Sequence, residues 1–208
     1  MKFWTIIALL GSCVNALQLA ASDSNGYDDV FDALSSFGVS EAPGSREPLL
    51  GVAGFYGQPQ PQQWLILTSI KEKSGVLRES VASEGKVVAE RQFRRLSGQD
   101  LPDIPIARRS LKISSLEAFK IGKAEAKRHQ VSFESVHFQL SCCDQAGEPV
   151  WMLSFIDRAQ ASVGSVYLSA VSGNVIKTVW QDAVNYTTFL QKKVPASAGS
   201  DAFKTAGR

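Results

Sequence analysis

Two adjacent cysteines are the residues whose spacing most suggests chemistry in this chain. Cys142 and Cys143 lie far from the third cysteine, Cys13, which stands near the N-terminus. In an oxidising compartment, adjacent thiols can form a vicinal disulfide, bind a soft metal ion or bridge to another chain. Neither a zinc-ligand spacing nor the Cys-x-x-Cys spacing of thioredoxin-like proteins is present. A thiol site at Cys142 and Cys143 is therefore a hypothesis, and two inert thiols in a loop are the alternative.

The sequence contains two histidines, which provide few candidate bases for a catalytic triad and few candidate ligands for a metal site. His129 ends a predicted helix, where a cationic side chain favours the negative end of the helix dipole. His137 alternates with Val136 and Phe138, so a regular strand would turn it away from the core, toward solvent or a partner. Enzyme chemistry on this scaffold would need a buried acid or base, and Asp157 or Glu134 beside His137 are the candidates.

The common signatures of hydrolases and nucleotide-binding enzymes are absent from the sequence. It contains no HExxH, no GxSxG, no Walker motif and no dinucleotide-binding glycine pattern. We therefore expect no catalytic residues, no cofactor and no metal, and we predict that the protein is not an enzyme.

A basic stretch covers residues 107–129, with seven Lys and Arg against two Glu. Such a surface could dock an acidic partner or an anionic cell surface by electrostatic steering. The solvent-exposed face of a helix that covers a sheet would have the same composition. The residues of the predicted docking surface are Lys120, Lys123, Lys127 and Arg128.

The overall composition is that of an ordinary globular protein. The 208 residues include 22 Lys and Arg against 20 Asp and Glu, with 44% hydrophobic residues. This near-neutral balance excludes a basic nucleic-acid-binding tail and a disordered acidic chain, and we expect no nucleic acid partner.

The N-terminus has the pattern of an export signal. Residues 1–16 contain Lys2, a short apolar run and small residues that end at Ala16. The apolar run is too short to span a bilayer, so we predict a mature chain without a transmembrane segment, in the periplasm or outside the cell. Leu10-Gly11-Ser12-Cys13 resembles a bacterial lipobox, which makes a lipid anchor at Cys13 the alternative to simple export.

The rest of the chain divides into segments of different composition. We expect an acidic N-terminal segment with a short helix at 17–47, a linker rich in proline at 96–110 and a flexible tail at 183–208. The sequence pattern predicts a helix followed by short strands, bounded by turns, in each of two segments, 27–95 and 111–182. In the second half, Ser114 and Glu117 fit a capping box, and Ala118, Gly122 and Ala126 suit close approach to a sheet.

The second half resembles the PepSY domain. The resemblance rests on the helix with alanines on one face, on Trp151–Phe155, and on the hairpin from Val166 through Gly173 to Ile176. It implies an α+β, cystatin-like fold built from two repeats, each a helix packed on a short antiparallel meander, with the first repeat more diverged. It further implies an exported bacterial protein linked to protease inhibition or to accessory roles in the cell envelope, and it carries no catalytic residues.

We therefore expect a non-enzymatic module that binds, inhibits or assists another exported protein. Small-ligand binding on the same scaffold is an alternative, as is a thiol-responsive or metal-responsive module. The aromatic residues should fill the space between helix and sheet rather than line a groove. They are Trp64, Phe93, Phe119, Phe138, Trp151, Phe155 and Trp180.

Overall fold

The computed structural model describes residues 29–36, 47–71, 73–96, 101–142 and 147–181. The predicted signal peptide, Cys13, the 183–208 tail and Cys143 lie outside these residues. The elements follow in chain order: α1 Val30–Ser36, β1 Leu49–Gly57, β2 Trp64–Ser69, β3 Val76–Ser83, β4 Lys86–Arg94, α2 Ser115–Arg128, β5 Ser135–Cys142, β6 Pro149–Ile156, β7 Ser162–Ser169 and β8 Val175–Trp180. Neither described helix is long and apolar enough to cross a membrane.

All eight strands form one antiparallel sheet, in the order β4-β3-β2-β1-β5-β6-β7-β8. Each run of four strands is a meander of hairpins, and glycines with positive φ serve the tight turns, such as Gly85 (φ 66) between β3 and β4. The two meanders meet where β1 pairs with β5, for example Val52 opposite Leu140.

The prediction of two repeats, each a helix on its own cystatin-like meander, is wrong. Pairing of β1 with β5 merges the two meanders into one continuous sheet, because an unpaired inner edge would leave a row of backbone donors and acceptors without partners. The core is shared as well: the Trp64 ring lies 5.7 Å from that of Phe138 and 6.4 Å from that of Trp151, centroid to centroid. The short α1 packs into this common core.

Helix α2 forms as the sequence predicts. Ser114 Oγ accepts a hydrogen bond from the Glu117 amide, and the Glu117 carboxylate accepts one from the Ser114 amide, which completes the capping box. Ala118, Gly122 and Ala126 are buried against the sheet. The helix ends at Arg128, and the ring of the next residue, His129, lies 5.5 Å from that of Trp180.

The main core lies between the helices and one face of the sheet. Trp64, Trp151, Phe138 and Phe155 are buried there, as expected. Phe93 is the exception, because it packs on the other face of the sheet in a small cluster with Leu50, Leu67, Leu77 and Leu101. The segment after β4 brings Leu101 to that cluster and then returns to the helix side, where the Ile106 amide bonds to the Leu49 carbonyl.

Candidate functional site

The sheet face opposite the helices carries the candidate site. Because side chains alternate along a strand, the paired registers place two rows of residues on this face across β1 and β5–β8. We call these two rows the open face. Its members are Ala53, Phe55, Tyr56, His137, Gln139, Met152, Ser154, Ser165, Tyr167, Lys177 and Val179.

A β-bulge in β1 raises two aromatic rings on the open face. Gly54 pairs with Phe138 and Gly57 pairs with Val136, so Phe55 and Tyr56 together oppose one residue of β5. Tyr56 adopts the left-handed backbone conformation, with φ 55, which is uncommon for a residue other than glycine. Phe55 and Tyr56 are 37% and 55% exposed, so both rings are accessible from solvent.

The residue that faces the bulge is His137. Its ring centroid lies 5.3 Å from that of Phe55 and 4.6 Å from that of Tyr56, and both contacts are edge-to-face. The burial pattern confirms that His137 points away from the core, although the two aromatic rings leave it only partly exposed. His137 Nε2 is buried and has no hydrogen-bond partner within the described part of the chain.

Burial lowers the pKa of His137 below its ordinary value of 6.5. Removal of the imidazolium from water without a partner for its charge disfavours the protonated form. The imidazole is therefore neutral at pH 7, and the open face carries a single charged side chain, Lys177. A surface with aromatic residues and few charges resembles the centre of a protein–protein interface.

The lowered pKa of His137 predicts a loss of stability in acid. The unfolded chain binds the proton more readily than the folded one, so the free energy of unfolding should fall as the pH drops below about 6.5 and through the folded pKa. Urea unfolding at pH 7.5 and at pH 5 measures this difference. His137→Gln should reduce the difference, because glutamine binds no proton in this pH range. Equal pH dependence in the wild type and in His137→Gln would contradict the assignment.

Neither of the two candidate acids, Glu134 and Asp157, lies beside His137. Glu134 forms an ion pair with Arg158, Oε2 to Nε 3.2 Å, and lies beside α2 rather than on the open face. Asp157 Oδ1 accepts a hydrogen bond from the Ala161 amide in the turn after β6. Across the sheet His137 pairs with Ser154, whose hydroxyl lies 3.3 Å from that of Ser165. The described residues contain no group of three or more potential metal ligands from His, Cys, Asp and Glu.

The predicted thiol site is only partly described. Cys142 ends β5 with its side chain buried, and its Sγ lies 3.2 Å from the carbonyl oxygen of Gly147. A thiol site at Cys142 and Cys143 therefore stays a prediction, since Cys143 lies outside the described residues.

The four basic residues of the predicted docking surface have different surroundings. Lys120 and Lys123 line a groove beside α2, and the Lys123 ammonium lies 5.9 Å from the centre of the Phe119 ring. Lys127 and Arg128 are exposed on the last turn of α2, where Arg128 forms a 2.7 Å ion pair with the largely buried Glu125. All four side chains are exposed on α2, and a docking surface formed by them stays a prediction.

Sequence reasoning missed Phe55 and Tyr56. The available signal was the pattern Gly54-Phe55-Tyr56-Gly57, in which two aromatic residues stand between two glycines. A Cβ at Gly57 would come within 2.7 Å of the Phe138 ring, so glycine lets β1 return to the helix side immediately after the bulge.

Comparisons with known proteins reveal one similar fold. No protein-family model matches the chain, and no curated protein matches it either. The PepSY resemblance consequently stays a prediction. The crystal structure of a putative lipoprotein from Clostridium difficile 630 superposes with a TM-score of 0.52 at 10% identity, over 76% of this chain and 97% of the other. The chain therefore shares its fold with this lipoprotein.

Proposed function

We propose that this protein is an exported, non-enzymatic binding module that recognises another exported protein through its open face, and restrains or stabilises that partner. The observation that carries this proposal is the pair of exposed aromatic rings, Phe55 and Tyr56, raised by the bulge over His137. Bulges re-aim side chains at functional sites, and backbone in the left-handed region at a tyrosine is maintained only when the surroundings enforce it.

The composition of the open face favours a protein partner. Tyr56, Phe55, Met152 and Tyr167 are of the residue types enriched at protein interfaces, and large aromatic anchors dominate binding energy. Both described helices pack on the other face, so the open face rests on a rigid sheet. A rigid, weakly charged platform of this kind loses little conformational entropy when a partner binds.

Export is supported by two observations. Residues 1–16 have the pattern of a secretory signal, and the protein of similar fold is a putative lipoprotein. The same likeness supports the alternative of a lipid anchor at Cys13, which would hold the module at a membrane surface. Either route places the open face outside the cytoplasm, where its partner would also be exported.

The proposal is tested with tagged protein used as bait in an envelope extract from the source organism. Three baits are compared: the wild type, Phe55→Ala/Tyr56→Ala, and Val88→Ala as a matched control at an exposed apolar residue of the edge strand β4. A partner that binds the open face should be retained by the wild type and by Val88→Ala and lost from the double variant. With the purified partner, the double variant should bind about 1,000-fold more weakly, since aromatic anchors at an interface contribute about 2 kcal/mol each and every 1.4 kcal/mol is about tenfold in affinity.

Folding of the double variant is checked by circular dichroism, and both substituted side chains are exposed enough to leave the core intact. In the complex, hydrogen exchange should slow in β1 and β5–β7. Retention of the same partner by the double variant, or no specific partner on the wild type, would contradict binding through the open face.

A further inference from the structure

A groove beside α2, separate from the open face, combines an apolar floor with two ammonium groups. Its volume is about 690 Å³, within the range of sites for small molecules. Residues from three parts of the chain line it: the loop after β1, helix α2 and the segment that leads into β5. They are Gln58, Pro59, Leu116, Phe119, Lys120, Lys123, Val131, Ser132, Phe133 and Glu134.

The floor of this groove is supported by the core. The Phe119 ring lies 6.4 Å from Phe133 and 6.4 Å from Phe138, centroid to centroid, and Phe133 lies 4.8 Å from the buried Phe155. Leu116 is one helical turn before Phe119 and is 36% exposed. The groove therefore presents preformed apolar surface to solvent, which an apolar chain could cover.

The charge beside this floor is positive. Lys120 and Lys123 are three residues apart on α2, so their side chains lie next to each other, and neither forms a salt bridge with any described residue. Glu134, the acidic residue of the lining, is already paired with Arg158. A ligand with a carboxylate next to an apolar chain would complement both features.

We infer that this groove binds a small amphipathic carboxylate, such as a medium-chain fatty acid. Its alkyl chain lies along Leu116, Phe119 and Val131, and its carboxylate lies between the ammonium groups of Lys120 and Lys123. Burial of the chain contributes most of the binding free energy, and the two charge-assisted contacts select the carboxylate over a neutral headgroup. This site does not involve the open face, so its failure would leave the proposed partner binding intact.

The test is calorimetric titration of the mature chain with decanoate, decanol and acetate, each below the concentration at which it aggregates. Decanoate should bind with saturation at one site per chain, and decanol and acetate should each bind at least about tenfold more weakly, because one lacks the charge and the other the chain. Amide shifts in NMR spectra should locate decanoate at α2 and at residues 131–134.

Substitutions distinguish binding of decanoate in the groove from nonspecific electrostatic attraction to the basic residues. Lys120→Ala/Lys123→Ala should weaken decanoate binding about tenfold, while Lys127→Ala, which removes an exposed lysine outside the groove, should bind as the wild type does. Leu116→Ser should also weaken decanoate binding, because it removes apolar contact with the alkyl chain and leaves both lysines in place. These side chains are exposed on α2, and circular dichroism verifies that the variants fold.

Several outcomes would overturn the assignment. They are an absence of saturable decanoate binding, equal affinity for decanol, an unchanged affinity in Lys120→Ala/Lys123→Ala, and an equal loss in Lys127→Ala. Another possible occupant is an acidic peptide, for which a synthetic peptide of residues 17–28 serves as probe. Binding of that peptide at the two lysines without binding of decanoate would make the groove a peptide site and overturn the assignment to a small carboxylate.

Discussion

Replacement of Trp151 by alanine should lower the free energy of unfolding by about 3–5 kcal/mol, the usual cost of removing a large buried aromatic ring. The Trp151 side chain is fully buried in β6, between the rings of Trp64 and Phe138 at 6.4 and 6.3 Å. Its Nε1 donates a 2.9 Å hydrogen bond to the Ile113 carbonyl, in the segment that leads into α2. The ring thus connects both halves of the sheet and the start of the helix. Urea unfolding followed by circular dichroism measures the loss.

Trp151→Phe is the matched control, because it keeps an aromatic ring and removes the indole N–H. It should cost about 1–3 kcal/mol, mainly from the unpaired Ile113 carbonyl and the smaller ring. If Trp151→Ala lost less stability than Trp151→Phe, or if neither change affected unfolding, the shared core described above would be wrong. Loss of cooperativity confined to one half of the sheet would likewise contradict it.

Gly122→Val is the second substitution with a large expected effect, about 2–3 kcal/mol of lost stability, because it overpacks the helix–sheet contact. A Cβ at this position would lie 2.6 Å from Leu153 Cδ1 and 3.0 Å from Phe155 Cζ. Both neighbours are fully buried, so neither can move without disturbing the core. Thermal and urea unfolding measure the change.

Ala124→Val controls for the lower helix propensity of valine. Ala124 is exposed on the same helix, so its replacement should cost only about 0.5 kcal/mol. The difference between the two substitutions isolates the steric effect at Gly122. Equal effects at both positions would show that α2 does not approach β6 as closely as the structure places it.

The division of the molecule into two surfaces follows from how the helices pack. Both lie on one face of the sheet, which buries the tryptophans and leaves the open face to the bulge and His137. The groove beside α2 arises on the other side, where the helix meets the segment that leads into β5. Protein recognition and small-ligand binding can therefore be tested independently by substitutions at Phe55 and Tyr56 and at Lys120 and Lys123.

Local features of the chain were predictable from sequence. The capping box of Ser114 and Glu117 joins residues three apart, and the alternation around His137 is a property of a single strand, so both signals lie within one short window. Turn glycines such as Gly85, with φ 66, are equally local, because a Cβ there would meet nothing within 4 Å and only the backbone conformation of the turn requires glycine. Each of these features can therefore be predicted from residues that are close together in the sequence.

Contacts between distant segments were decided by the tertiary structure. Nothing near Val52 or Leu140 specifies that β1 pairs with β5, and that pairing turned two expected repeats into one sheet. The same pairing sets Phe55 and Tyr56 against His137, and the packing of α2 beside the segment that leads into β5 forms the groove that Lys120 and Lys123 line. By itself the sequence determined the capping box at the start of α2, the alternation of side chains along β5 and the turn glycines. The sites depend on which strand edges pair and which surfaces pack together. Burial and hydrogen bonding over the whole chain determine both.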